Sequence, residues 1–332
     1  MGTVQTVMGP VSSTELGLVL THEHVMVDFA GAEVTGPHRW DRAEVVGIML
    51  PYLTAIARQG VQTLVECTPA YLGRDVELLQ QLSAASGLKI ITNTGFYKAP
   101  HLPAWVFGLE APELAQRWIA EFETGIEGTL VRPGFIKIAV NPGELEPIQR
   151  VIVAAATITA LHTGLPIIAH TASAEAAHES LDLVAAGGLD PARYVIAHAD
   201  QIGRDAAPGQ PEWDEMIAAH EALLQRGAWL AYDGIGWSPV ARHVALVTEM
   251  LERGYESQLL ISQDAGWYHV GEPAGGSVQP MTALLDEFVP ALRSAGVNSR
   301  QLETLLVGNP SRLLAVAQAA GDRPFGAAVA PH

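Results

Sequence analysis

Eight times in succession this chain runs through a short apolar segment, a turn or loop and an amphipathic helical stretch, and few folds accept that rhythm. The apolar segments are residues 18–28, 63–69, 89–97, 135–140, 166–172, 194–200, 229–236 and 259–266. Most are continuous aliphatic and β-branched runs, as parallel strands covered on both faces require. The helical stretches are 42–59, 75–85, 112–126, 147–163, 174–186, 212–226, 240–253 and 281–294, and several end at a glycine such as Gly60, Gly164, Gly227 or Gly254. Eight such units predict an α/β chain folded as a single-domain (β/α)8 TIM barrel over residues 1–332. A doubly wound sheet is the alternative, but no glycine-rich phosphate turn follows the first segment and no strands are left over for it. Residues 3–10 read as a short N-terminal β-ribbon, 299–306 and 310–318 as a closing helical pair, and the Gly/Ala/Pro-rich stretch 321–332 as a frayed tail.

Composition narrows the function. Hydrophobic residues make up 48% and charged residues 17%, enough for a large core. A formal net charge of -17 without any basic run excludes nucleic acid as a partner, because phosphate neutralisation needs clustered Lys and Arg. The single Cys67 excludes an intrachain disulfide framework. No basic leader with an apolar run is visible, and no segment approaches the ~18 apolar residues of a membrane span. The expectation is a cytoplasmic protein with no membrane partner.

Polar residues fall where a barrel would gather them, at the C-terminal ends of its strands. His22 and His24 stand in Thr21-His22-Glu23-His24, Lys137 inside Phe135-Ile136-Lys137-Ile138-Ala139-Val140, and His170, His198 and Asp264 at the ends of the fifth, sixth and eighth segments. Residues two apart on a strand share a face, so His22 and His24 can offer two imidazoles to one ion. Singly, each of these residues has a plainer reading: a hydrogen-bonded core histidine, a lysine turned out between helices, a capping aspartate. Jointly, on five strands, they read as a metal centre. The other eight of the 12 histidines lie on helices, in loops or at the terminus and read as non-ligands. An ammonium among imidazoles would oppose cation binding. Buried lysine shifts its pKa readily, and a neutral amine carboxylated by CO2 becomes a carbamate able to bridge two divalent ions roughly 3.5–4 Å apart that share a hydroxide.

Together with Gly95-Phe96-Tyr97, Asp233 after the seventh segment, Ser262-Gln263-Asp264 and the ending Gly308-Asn309-Pro310-Ser311-Arg312-Leu313-Leu314, these motifs resemble the phosphotriesterase family of the amidohydrolase superfamily, which includes the phosphotriesterase-like lactonases. The resemblance covers essentially the whole chain, in order. It implies that His22, His24 and Asp264 hold a buried metal, that His170 and His198 hold a more exposed one, and that N6-carboxylated Lys137 bridges the two. It implies zinc as the usual metal, with cobalt, manganese or iron as substitutes, and a homodimer, with which aromatic residues near Trp105 and Phe107 are compatible. It further implies hydrolysis of esters, lactones or organophosphate triesters by a metal-bridging hydroxide whose proton Asp264 receives or relays. Two positions depart from the family pattern. Gly234 follows Asp233 where many members carry Arg or His, and Gln263 precedes Asp264 where His is common.

The loops offer candidates for substrate contact. Tyr97 matches a family tyrosine beside the metals, and Trp237, Trp267 and Tyr268 form a candidate apolar wall. Lys98 and Arg204 are candidates for an anionic group. Residues 266–280, with Gly271, Gly275 and Gly276, read as a mobile lid. The expected function is a binuclear-metal hydrolase of lactones or carboxylic esters with side activity on phosphotriesters. An organophosphate triester hydrolase is the second reading, and a non-catalytic metal- or ligand-binding barrel the third.

Overall fold

A computed structural model describes residues 2–317. An antiparallel ribbon comes first, β1 (Thr3–Thr6) against β2 (Gly9–Ser12), its turn tied by Thr6 Oγ1 donating to Gly9 O at 2.7 Å. The main strands follow: β3 (Leu18–Val27), β4 (Val61–Glu66), β5 (Lys89–Ile91), β6 (Asn93–Thr94), β7 (Phe135–Ala139), β8 (Ile167–His170), β9 (Tyr194–Ala197), β10 (Trp229–Tyr232), β11 (Leu259–Ile261) and β12 (Gly266–His269). Every pairing among them is parallel, in the orders β12-β3-β4-β5 and β6-β7-β8-β9-β10-β11. β5 and β6 are successive parts of one run, and so are β11 and β12 around a corner at 262–265. Asp264 N donates to His22 O (3.0 Å) and His24 N to Ala265 O (2.9 Å), stitching that corner to the first strand. The eight strand runs therefore follow one another in sequence order, as a (β/α)8 barrel requires.

The connecting helices are α1 (Arg42–Arg58), α2 (Val76–Ser86), α3 (Ala111–Thr124), α4 (Pro147–Thr163), α5 (Ala174–Ala186), α6 (Pro211–Gln225) and α7 (Val240–Glu252). Their starts are chemical: Asp75 caps Leu78 N, Ser173 caps Ala176 N, and Pro147 and Pro211 occupy first positions where no N–H is needed. α8 (Val289–Ser294) and α10 (Asn309–Leu314) each follow a wide π turn, at Leu284–Phe288 and Thr304–Gly308, with α9 (Ser299–Glu303) leading into the second. Pro290 and Pro310 supply the reason, since each lacks the N–H an α-turn would use and its ring crowds the preceding turn. The closing segment is anchored by Asn309 Nδ2, which donates to Glu256 O (2.8 Å) and Leu259 O (2.7 Å) at the base of β11. Gln318 and the tail 321–332 lie outside the described residues. Among the described residues no helix is long and apolar enough to cross a membrane.

Two apolar layers fix which way each strand faces. Phe135, Ile168, Val195, Ala197, Trp229, Ala231 and Leu260 belong to the inner cluster, while their neighbours Ile136, Ile167, Ile196, Leu230 and Ile261 pack outward against the helices. Period-2 alternation then carries Lys137 on β7 and His170 on β8 to the inside. Three ligand candidates, His22, His24 (two residues on, on the same face) and His198, do not follow simple alternation. Val19 faces inward and Leu20 outward, so His22 would fall on the helix side, but a register shift between Leu20 and Glu23 resets the count. His198 follows the inward Ala197 and would also turn out, except that its backbone is left-handed (φ 58°) and swings the ring back.

The expected lid is corrected here. Its first residues, Gly266–His269, are β12, hydrogen-bonded along β3. Gly266 and Gln279 exchange backbone bonds of 3.1 and 2.7 Å, which pinch the base of the remaining loop. Gly266 (φ 101°) is required there, because a Cβ would run into His24 O. Tyr268 is corrected with it. On β12 it alternates with Trp267 and points behind the sheet, where its hydroxyl donates to Glu44 of α1 at 3.1 Å.

Candidate metal centre

His22, His24, Lys137, His170, His198 and Asp264 all line one cavity of about 680 Å³. His22 Nε2 is 3.1 Å from Lys137 Nζ and 3.7 Å from Asp264 Oδ1, while His24 Nε2 is 3.1 Å from the same oxygen. That oxygen is buried and accepts no well-aligned hydrogen bond among the described residues. The ring of His198 packs between those of His22 and His170, with centroids 4.8 and 4.6 Å away.

The outward nitrogens are held. Asp233, at the end of β10 and fully buried, places Oδ2 at 2.6 Å from His22 Nδ1 and Oδ1 at 2.8 Å from His198 Nδ1. Thr68 Oγ1 lies 2.8 Å from His24 Nδ1. The Tyr97 hydroxyl lies 3.1 Å from His170 Nδ1, and Lys98 Nζ is 3.2 Å from His170 Nε2. His24 thus turns its second nitrogen toward Asp264 and His22 turns its second toward Asp264 and Lys137, and donors of this type and arrangement suit a transition-metal ion. His22, His198 and Asp233 also lie close enough to be considered a second cluster, but both Asp233 oxygens are already spent on ring nitrogens, which makes that group a clamp. Glu23 works from the other face of β3. Its buried carboxylate accepts from Ser262 Oγ (2.8 Å), Ala265 N (2.8 Å) and Gln263 N (3.2 Å), and so fixes the corner that presents Asp264. Asp264 itself is left-handed (φ 49°), a conformation that costs energy for a non-glycine residue and gathers at functional sites.

Burial and charge set the protonation states. Burial, aided by the nearby Lys137, pushes the His22 imidazole down to about 4, and burial lowers His24 and, well below its usual value, His170. All three imidazoles are therefore neutral and basic-nitrogen-ready at neutral pH. Burial also opposes charge on Asp233, but His198 and His22 outweigh it and hold the carboxyl well below its usual range. His198 runs the other way, since the Asp233 carboxylate overcomes its desolvation and raises it. Asp264 is held low despite burial by His24, His22 and His198.

Of the expected substrate contacts, Tyr97, Trp237, Trp267 and Arg204 line this cavity and Tyr268 does not. Lys98 is not part of the cavity wall and instead meets His170 Nε2. Gln263 turns away from the cavity, donating to Met281 O at 2.7 Å and accepting from Leu284 N at 2.8 Å. Phe29 and Arg242 also line the cavity and escaped the sequence reading. Phe29 lies two residues past β3 and looks like an ordinary surface aromatic in sequence, and Arg242 looks like any helix charge.

A parallel barrel that collects four imidazoles, a lysine and an aspartate at its strand ends defines a metal-dependent hydrolase. The sequence profile described as the Phosphotriesterase family matches residues 2–314, and the chain belongs to that family. A phosphotriesterase homology protein of Mycobacterium tuberculosis is 30% identical over 333 residues, spanning 94% of this chain and 98% of its own. The solved organophosphorus hydrolase from Deinococcus radiodurans superposes with a TM-score of 0.82 at 31% identity, covering 94% of this chain and 96% of that one. A solved organophosphate hydrolase engineered from a weak promiscuous lactonase template gives 0.82 at 30% identity, covering 94% and 99%.

Proposed function

We propose that this chain hydrolyses lactones or carboxylic esters, with side activity on phosphotriesters. The observation that carries the reading is the convergence of His22, His24 and Asp264 on one point beside Lys137, with the far ring nitrogens held by Asp233 and Thr68. His22, His24 and Asp264 would hold one divalent ion, His170 and His198 a second, with N6-carboxylated Lys137 between them. The ions, zinc first and cobalt, manganese or iron as substitutes, supply Lewis acidity toward a C=O or P=O oxygen and acidify water. Asp264, kept ionised by its imidazole neighbours, is the proton acceptor. The Tyr97 hydroxyl, which burial holds protonated, is a donor beside His170 that orients the substrate oxygen. Trp237, Trp267 and Phe29 exclude water and receive the apolar part of the substrate. On the same reading the protein acts in the cytoplasm and pairs as a homodimer through the exposed Trp105 and Phe107.

An organophosphate triester hydrolase is the second reading, supported by the organophosphorus hydrolase likeness. Both reactions ask the same groups for the same charge stabilisation, and differ in pocket shape. Metal-loaded protein assayed on a panel of lactones, carboxylic esters and aryl phosphotriesters separates them. Highest kcat/KM on a lactone or ester is expected, and a strong phosphotriester preference reverses the order. Fewer than two ions per chain together with no turnover of any member would instead make this a binding barrel.

A further inference from the structure

The catalytic cavity is lined by two guanidinium groups that the chemistry above leaves unused, Arg204 and Arg242. Arg204 leaves the turn after β9 with its side chain 70% exposed, and its nearest carboxylate is the still more exposed Asp205 at 3.9 Å. Arg242 comes from the first turn of α7 and is fastened to that same turn. Its Nη2 donates to Gly203 O at 3.1 Å and its Nε to Ala206 O at 3.4 Å. Among the described residues, no carboxylate comes within 4.0 Å of Arg242. Other described arginines, such as Arg132, Arg193 and Arg312, also lack a carboxylate partner, and what sets Arg242 apart is its place in the cavity wall. Arg39, Arg42, Arg74, Arg150, Arg226 and Arg253 each reach a carboxylate at 3.0 Å or less. The buried carboxylate nearest in charge to Arg242, Asp200, is already occupied by Asp233 N (3.2 Å), His243 Nε2 (3.2 Å) and Gln201 Nε2 (3.3 Å).

Position 234 supplies no cation of its own. A Cβ on Gly234 would collide with Asp200 Oδ2, so the residue after Asp233 cannot carry a side chain without displacing that carboxylate. The remaining wall is largely apolar, with Phe29 stacked on Trp267 (centroids 6.0 Å apart, planes 19°) beside Leu72 and Trp237. At the Arg204 side, the cavity shares Ala172, Gln201, Arg204 and Asp205 with a second space of about 1130 Å³, which leaves room for a substituent beyond the reacting bond.

We propose that Arg242, assisted by Arg204, recognises an oxyanion carried by the substrate away from the scissile bond, so that the preferred ester or lactone is a phosphate monoester or a carboxylate. With Nε on Ala206 O and Nη2 on Gly203 O and Met216 Sδ, the held guanidinium keeps the two N–H groups of Nη1, with little entropy left to lose, for a charge-assisted hydrogen bond to either oxyanion. The inference rests on the ester-hydrolase reading and fixes the substrate class within it.

The test uses metal-loaded protein and matched lactones of one ring, neutral, bearing a carboxylate and bearing a phosphate monoester. At least one charged member is expected to exceed the neutral one in kcat/KM by about tenfold or more, through KM, as charge-assisted hydrogen bonds allow. The better of the two charged members names the oxyanion. R242Q is expected to erase most of that preference, R242K to keep part of it, and R204Q to reduce it less. Inorganic phosphate is expected to inhibit competitively, with a Ki that rises in R242Q. If R242Q lowers charged and neutral members equally, Arg242 merely fastens the turn 203–206 and the proposal falls. It falls equally if the wild type does not prefer charge. Turnover of no member by the wild type would overturn the ester-hydrolase reading first, and this inference with it.

Discussion

The Nδ1 atom of His22 sits 2.6 Å from Asp233 Oδ2, and both side chains are buried. The second oxygen of the same carboxylate takes His198 Nδ1 at 2.8 Å. One carboxylate thus fixes the tautomer and tilt of an imidazole from the first strand run and one from the sixth, which the proposed function assigns to different metal ions.

Asp233→Asn should therefore weaken both sites together. The amide keeps one acceptor and loses the charge that makes each imidazole more basic, an effect that costs about 10–100-fold in metal affinity where a ligand's carboxylate partner is lost. Metal titration into the stripped protein, followed by activity, measures it. Lost activity that returns with excess metal is the expected outcome, and unchanged affinity would show that Asp233 only fills space.

Asp264→Asn is expected to abolish turnover while the fold persists. The change removes a candidate ligand and the proton acceptor at once, and the corner it occupies is held independently by Glu23. Circular dichroism and thermal unfolding report the fold, and ester hydrolysis the activity. Near-normal turnover would move the acceptor role elsewhere.

Lys137→Ala should also be inactive, because Lys137 is the buried group between the two sets of imidazoles. If a carbamate on this amine bridges two ions, a short carboxylic acid added to the variant should restore part of the activity. High activity without the additive would rule the bridge out.

These three residues also show how far the sequence could be read. Apolar runs and helix caps were enough to place eight strand–helix units, and alternation within Phe135–Ala139 suffices to turn Lys137 inward. His22 and His198 were identified by type and by motif, and simple alternation would have faced both outward. The register shift near Leu20 and the left-handed backbone of His198 correct this, and neither has a local sequence signature. Asp233 stood out as a motif residue, but its double grip is a long-range contact that only the closed ring creates. Tyr268 departs from the expected wall for a related reason. The sequence gives no sign that the chain resumes β-pairing at Gly266, and on a strand only one of two adjacent aromatics can face the cavity.

Away from the metal centre, His220 ties stability to pH. It is fully buried on α6, its Nδ1 3.1 Å from the Tyr232 hydroxyl, and burial pushes it down from 6.5 to about 4. The folded state holds this ring neutral, whereas the unfolded chain protonates it near pH 6.5. A histidine depressed on folding contributes stability that is present above the unfolded value and lost as pH falls through the folded one, so the loss runs from about pH 6.5 to about pH 4. Across that window this one residue would cost on the order of 3 kcal/mol. His22, His24 and His170 add slopes of the same sign in metal-free protein, so the comparison must isolate His220. His220→Gln keeps a hydrogen-bond partner for Tyr232 and removes the titration. Unfolding midpoints measured from pH 7.5 to pH 4 should fall less steeply in the variant than in the parent. Parallel curves would place the acid sensitivity in other groups.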